Sequence, residues 1–327
     1  MKQTIIGSVR VTGSAFNRRR FLQGVGGAGL MAVVAGQSVG SAQATPPSRF
    51  DLTATGRVLF TQARLGSVTV QQSFAFDVRN RRAFVAQRLD GSSATAGDLT
   101  ISKLDYDGRL CGEMSLLGYG HGVSIAAQPA GRSTLLWTEA DANANGYGTR
   151  LARFAWQDGA VYERDAPEVT KVQPVPEALE TTCAIDPVEQ RIVVRYHTSA
   201  GKRFAWFGLD DVDSAAPARL GDFAQPAGLG TFQGYAASGR WLYVLDGNAY
   251  SDQNPYPGNA YLGAVDLRTG QLVERTLTTI GAELSFREPE GLAVGLDPDG
   301  RPLLFVGFAS GEPGDRRSNL YYLKKRV

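Results

Sequence analysis

Five residues scattered along the chain, His121, Glu180, Arg287, Glu288 and Glu290, together supply an acid, a base and a cation. Two carboxylates flanking a glycosidic bond make a hydrolase when they stand about 5–5.5 Å apart for retention or about 6.5–9.5 Å for inversion. Glu180 and Glu290 offer that pair, with His121 beside them as a further proton carrier. A polysaccharide lyase would instead use His121 or Tyr235 as base and Arg150 or Arg287 to neutralise a uronate carboxylate. The same side chains also suit a site that only binds, because sugars are held by an aromatic face under the ring and by amides or carboxylates on the hydroxyls.

Other chemistries find less support. His121 and His197 are the only histidines and neither H-x-x-x-H nor C-x-x-C occurs, so no zinc site is expected. Asp141-Ala142-Asn143-Ala144-Asn145-Gly146 matches the opening of a calcium loop, D-x-N-x-N-G, but its twelfth position is Ala152 and not Glu. What remains of that match is a looser calcium loop or ordinary turn chemistry. No G-x-S-x-G, phosphate-cradling glycine loop or dinucleotide fingerprint stands in a suitable setting, so no cofactor is expected.

Residues this far apart need a scaffold that gathers them, and self-comparison supplies one. A polar residue, a small one and an alternating apolar strand recur five times, at Gln72-Ser73-Phe74-Ala75-Phe76-Asp77, His121-Gly122-Val123-Ser124-Ile125-Ala126, Thr181-Thr182-Cys183-Ala184-Ile185-Asp186, Gln233-Gly234-Tyr235-Ala236-Ala237-Ser238 and Glu290-Gly291-Leu292-Ala293-Val294-Gly295. The starts are 49, 60, 52 and 57 residues apart. Second strands follow at 83–89, 134–140, 191–197, 241–247 and 302–310, and third strands at 98–105, 148–156, 203–210, 260–267 and 318–325. More polar fourth strands follow at 109–117 and 271–279. A sheet of three or four strands cannot bury both faces alone, so five such units pack around an axis as an all-β, five-bladed β-propeller. The last unit stops at its third strand, and 49–62 is strand-like without a unit of its own. That N-terminal segment is therefore expected to complete the last blade and close the ring.

In a propeller the first strand of each blade lies innermost, so its starting residues meet at one mouth of the channel. Gln72, His121, Thr181, Gln233 and Glu290 occupy that position, with Glu180, Tyr235, Arg287 and Glu288 beside them. The loop 139–150 adds Glu139 and Arg150, and the loop that begins at 246 adds Asp246 and Asn248. In the binding reading Arg150 and Arg287 contact phosphate or carboxylate, while Gln72, His121, Gln233 and Tyr235 contact hydroxyls.

The segments Gly120-His121-Gly122-Val123-Ser124, Glu180-Thr181-Thr182-Cys183-Ala184-Ile185-Asp186, Gly230-Thr231-Phe232-Gln233-Gly234-Tyr235 and Arg287-Glu288-Pro289-Glu290-Gly291 resemble the β-propeller domain shared by TagC-like teichoic acid proteins and staphylococcal phage receptor-binding proteins. The resemblance implies a five-bladed propeller, used by the phage members to recognise wall teichoic acid. It implies no established biosynthetic reaction. The chain departs from the phage proteins by an export signal and by lacking their stem and tower regions, so trimeric assembly is not implied.

That signal is read from Asn17-Arg18-Arg19-Arg20-Phe21-Leu22-Gln23, the apolar glycine-rich run 24–36 and the small residues Ala42-Gln43-Ala44. The order resembles a twin-arginine signal peptide over 1–44, followed by the propeller over 45–327. The apolar run is too short for the ~20 residues that span a bilayer, so no membrane span remains after cleavage. Five of the 34 basic residues and none of the 32 acidic ones fall in 1–44, leaving 29 basic against 32 acidic residues and no electrostatic case for nucleic acid. Cys111 and Cys183 are the only cysteines and read as buried small hydrophobes at different depths of the fold. The residues together indicate an exported or cell-wall-associated propeller. Its expected partner is an extracellular polysaccharide or cell-wall glycopolymer, and a glycoside hydrolase or polysaccharide lyase is the alternative.

Overall fold

The computed structural model describes residues 48–327, and every regular element among them is a strand. The expected signal segment lies outside the described residues. β1 (Arg57–Ala63) is followed by β2 (Gln71–Asp77), β3 (Arg82–Arg88), β4 (Leu99–Leu104) and β5 (Leu110–Leu116), of which β2 to β5 pair in that order as the first blade. The second blade orders β6 (Ala126–Ala130), β7 (Ser133–Ala142) and β8 (Gly148–Ala155) outward; β9 (Val161–Tyr162) returns to the first blade, and β10 (Thr170–Val172) finishes the second. β11 (Glu180–Asp186), β12 (Arg191–Thr198), β13 (Gly201–Gly208) and β14 (Arg219–Ala224) form the third. β15 (Phe232–Ser238), β16 (Trp241–Asp246), β17 (Tyr261–Asp266) and β18 (Gln271–Leu277) form the fourth. β19 (Glu288–Leu296), β20 (Pro302–Ser310) and β21 (Arg317–Leu323) make the fifth, with β1 as its outermost strand.

The ring closes as expected. β1 runs antiparallel to β21, with Val58 opposite Tyr321, and Phe50 bridges Arg326. Lys325 donates to Asp51 at 2.7 Å, and the salt bridge holds the Asp51 carboxyl at about 2, below its usual range. The segment from Phe50 to Ala63 thus pairs with the last strand of the fifth blade and ties the two ends of the propeller sequence into one sheet.

Every seam between blades is filled the same way. Middle strands such as β16, whose six residues are all buried, carry apolar side chains on both faces because each face meets a neighbouring blade. Trp137 and Leu151 pack on Ile192 and Phe207 between the second and third blades, and Tyr243 and Leu262 pack on Leu304 and Phe308 between the fourth and fifth. Nearer the axis, polar contacts cross the seams: the Ser73 hydroxyl donates to Gly122 O at 2.7 Å, Ser124 to Cys183 O at 2.6 Å, and Gln71 Nε2 to Glu290 O at 3.0 Å. At the seam of the fourth and fifth blades no side chain fits: a Cβ on Gly234 would lie 2.8 Å from Gly291 Cα.

The structure corrects several boundaries. The inner strand of the second blade begins at Ala126, not His121, because the Glu139 carboxylate takes the place of the ladder before it. β10 and β14 are outer strands that alternation does not reveal, since β10 is short and β14 is exposed or half-buried throughout. β9 adds a parallel fifth strand to the first blade. Cys183 is buried on β11, and burial raises its thiol pKa; Cys111 is exposed on β5, against the expectation of a buried residue, and neither forms a disulfide. Among the described residues no helix is long and apolar enough to cross a membrane.

Candidate functional site

The five residues expected to open the inner strands do meet, although His121 lies ahead of its strand. Gln72, His121, Thr181, Gln233 and Glu290, one from each blade, line a basin of about 1020 Å³ at one mouth of the channel. Glu139, Glu180 and Glu288 line it too, as do Arg88, Tyr147, Arg195, Lys202, Phe232 and Arg316.

The basin's aromatic face is built by a buried carboxylate. Glu139, at the end of β7, is fully buried and accepts N–H bonds from Gly122 at 2.6 Å, Val123 at 3.0 Å and Gly148 at 2.7 Å. Its side chain thereby replaces the ladder partner that residues 121–125 lack and pins the start of β8 as well. Asn143 completes the turn by accepting from the N–H groups of Asn145 and Tyr147. His121 and Tyr147 are carried on the two tethered segments and stack with ring centroids 5.2 Å apart and planes 22° from parallel. Burial and the nearby Arg88 lower the His121 pKa, so the imidazole is neutral at pH 7. Burial lifts the Glu139 carboxyl above its usual range while the N–H donors pull the other way.

The basin's walls differ in charge. On the third blade Arg195 lays its guanidinium 3.9 Å from the Phe232 ring and donates Nε to Gln225 at 2.8 Å, leaving Nη2 buried without a partner. Glu180 and His197 face each other across the β11–β12 ladder, with Nδ1 and Oε2 3.5 Å apart. On the fifth blade Glu288 and Glu290 stand two residues apart on β19. Burial raises both carboxyls, Glu290 well above its usual range, and the Glu288 charge pushes Glu290 further. Glu290 is 6% exposed and its carboxyl has no hydrogen-bond partner among the described residues.

Five expected ligand contacts lie outside the basin lining, each for a physical reason. Tyr235 is fully buried at the seam of the third and fourth blades, where its hydroxyl donates to Val193 O at 3.2 Å and accepts the Arg195 N–H at 3.1 Å. Arg287 is 1% exposed and donates to the carbonyls of Thr278 and Ile280 at 2.8 Å, its guanidinium covered by Phe308. Asp246 is buried, paired with Arg275, and accepts the Gly230 N–H at 2.7 Å. Arg150 is half-exposed at 51% and lies 3.7 Å from Asp141. Asn248 is exposed on the 247–259 loop. Asp141, the first residue of the calcium-like loop, is taken by Lys171 at 2.5 Å, and no cluster of three metal-ligating side chains forms among the described residues.

The cations that do reach the basin are Arg88, Arg195, Lys202 and Arg316, none of them expected from the sequence, whereas Tyr147 comes from the 139–150 loop expected to border the mouth. Ladder register was the missing signal: Thr182 pairs with Arg195 and Glu180 with His197, so the far end of each second strand reaches the mouth beside the inner-strand start.

Comparison with known proteins agrees with this architecture. Residues 70–322 match the family of phage five-bladed β-propeller receptor-binding platform domains, and the chain belongs to that family. A Bacillus subtilis (strain 168) protein with the provisional name "major teichoic acid biosynthesis protein C" is 28% identical over 284 residues, covering 83% of this chain; the chain spans 63% of that relative's length. The tail fiber of Staphylococcus aureus phage P68 superposes with a TM-score of 0.69 at 20% identity, over 82% of this chain and 52% of the fiber.

Proposed function

We propose that this receptor-binding-type propeller binds an extracellular glycan, specifically an anionic cell-wall glycopolymer of the teichoic-acid kind, in the five-blade basin. The observation that carries the reading is the basin itself: an aromatic pair, His121 and Tyr147, amides from Gln72 and Gln233, and a guanidinium, Arg195, converge there from four blades. Stacked rings suit a sugar face, amides suit hydroxyls, and guanidinium suits phosphate. The family's receptor-binding platform and the teichoic acid name of the Bacillus relative support the same ligand class. Arg195, and not Arg150 or Arg287, takes the phosphate role in this reading. In this reading residues 1–44 direct twin-arginine export and 45–327 act at the cell wall or outside the cell.

A second reading, glycoside hydrolysis, draws on one observation: burial raises the Glu290 carboxyl well above its usual range in a basin that Glu180 and Glu288 also line. Incubating the protein with purified cell-wall glycopolymers and following retention and new reducing ends together separates the two. Retention of intact polymer, abolished in His121→Ala and Gln233→Ala variants that still fold, is the expected result. Undiminished retention by both variants removes the basin as the site, and reducing ends that vanish in Glu290→Gln make the protein an enzyme.

A further inference from the structure

We propose that the basin selects a repeat unit bearing both an anionic group and a free ammonium, the anion on the Arg195 wall of the third blade and the ammonium on the Glu288–Glu290 wall of the fifth. The inference rests on the glycan-binding reading above and adds the charge pattern of the ligand.

Glu290 is the starting point. Its side chain is more than nine-tenths buried, lines the basin and meets no hydrogen-bond donor among the described residues. An ionisable group in such a place costs free energy unless a partner satisfies it. The protein supplies none: Glu288, two residues along β19, carries the same charge. The cation that acts on Glu288 is Arg316, which stacks 3.4 Å from the Phe286 ring, donates Nη1 to Gly311 O and forms no ion pair with either carboxyl among the described residues. Two carboxyls without a dedicated cation form a receptor for one with several donors, and an ammonium has three. A sugar hydroxyl would satisfy one lone pair and leave the charge of the pair unmet.

The opposite wall has the complementary want. Arg195 is held by Gln225 and Phe232 and leaves Nη2 without a partner, while Lys202 lines the basin beside it. Glu180 is on this wall too, 3.5 Å from His197 across the ladder, and its charge acts on Arg195 and Lys202 without forming an ion pair with either, so one carboxylate stands against two cations. The fourth blade separates the third from the fifth, and neither Glu288 nor Glu290 acts on Arg195 nor Arg195 on them, so the two walls do not neutralise one another directly. A ligand bridging them must carry both signs.

Four small probes test this by NMR titration of the full chain: glucosamine 6-phosphate, N-acetylglucosamine 6-phosphate, glucose 6-phosphate and glucosamine. Removing a charge-assisted hydrogen bond at either end costs about tenfold or more in affinity, so glucosamine 6-phosphate should bind best by that factor. Glu290→Gln should abolish its advantage over the acetylated phosphate without weakening the latter, and Arg195→Gln should weaken all three phosphates together. Equal binding of the acetylated and free amines by the native protein overturns the inference. So does failure of all four probes when polymer is still retained, whereas failure to retain polymer strikes the glycan reading itself.

Discussion

His121 and Tyr147 stack 5.2 Å apart although each sits on its own irregular segment, and the carboxyl of Glu139 tethers both. Both oxygens of Glu139 accept backbone N–H bonds, so this side chain acts on a ligand by positioning rings and not by touching it. In a Glu139→Gln variant the amide nitrogen would face an N–H donor. Leaving that buried donor unpaired costs about 1–3 kcal/mol, and the two segments should part. Polymer retention should fall and the unfolding temperature with it; a variant that melts lower yet retains polymer fully would show that the stack is not part of the site.

Tyr147 itself is the sharper probe of the platform. Tyr147→Phe keeps the ring and should retain polymer, because the stack with His121 needs only the aromatic face. Tyr147→Ala removes an interaction of about 0.5–1.5 kcal/mol and should weaken retention by a few-fold to about tenfold. Equal weakening in both variants would assign the effect to the hydroxyl.

The part of this architecture legible in the residues is the part that repeats. A polar and a small residue recur at or just before each inner strand because each must open onto the mouth and then pass close to the next blade, and Gln72, His121, Thr181, Gln233 and Glu290 all line the basin. Arg287 and Tyr235 do not, because chemical type says nothing about whether a neighbour has already taken the group. Arg287 sits three residues before Glu290, yet a left-handed backbone at Phe286 and Arg287, with φ of 61° and 39°, turns its guanidinium under Phe308. Arg195 escaped for the converse reason, lying on a second strand whose contact with the mouth depends on register, and Arg316 stands just before the third strand of its blade.

Glu290 links the site to pH. Its folded pKa is raised above the unfolded value, so it favours the folded state most below the unfolded carboxylate range and loses that contribution as pH rises through the folded value. Glu290→Gln removes the loss. Its unfolding temperature should therefore exceed that of the native protein at pH 8 and match it near pH 4, each kcal/mol appearing as ~2–4 °C for a domain of this size. Calorimetry at the two values checks this, and a pH-independent difference would contradict the assignment.

The seams between inner strands limit what the ring tolerates. Gly291 has φ of 87°, and a Cβ there would lie 3.0 Å from Ser73 Cα across the seam of the fifth and first blades. Backbone strain and overpacking against a neighbouring backbone together make Gly291→Ala destabilising by about 2–4 kcal/mol. Gly300→Ala, in an open turn with nothing near its Cβ, carries only the strain of its φ of 76° and serves as the control. Denaturant titration should place Gly291→Ala clearly below it; equal stabilities would mean the blades shift apart without cost.

Tyr235 separates the ring's needs from the ligand's. Its hydroxyl sits between Val193 O, the Arg195 N–H and Thr182, and burial drives its pKa far above the usual phenol range, so it stays a neutral donor at any physiological pH. Tyr235→Phe keeps the packing on Phe204 and Phe232 but removes the hydroxyl's bonds to the Val193 carbonyl, the Arg195 N–H and Thr182. The variant should be less stable by about 0.5–1.5 kcal/mol. Polymer retention should be unchanged at temperatures where the variant is folded, because no part of the ring or hydroxyl lines the basin. Should retention fall while the folded fraction holds, Arg195, whose backbone the hydroxyl anchors, is the residue through which it acts, and combining Tyr235→Phe with Arg195→Gln should then add nothing further.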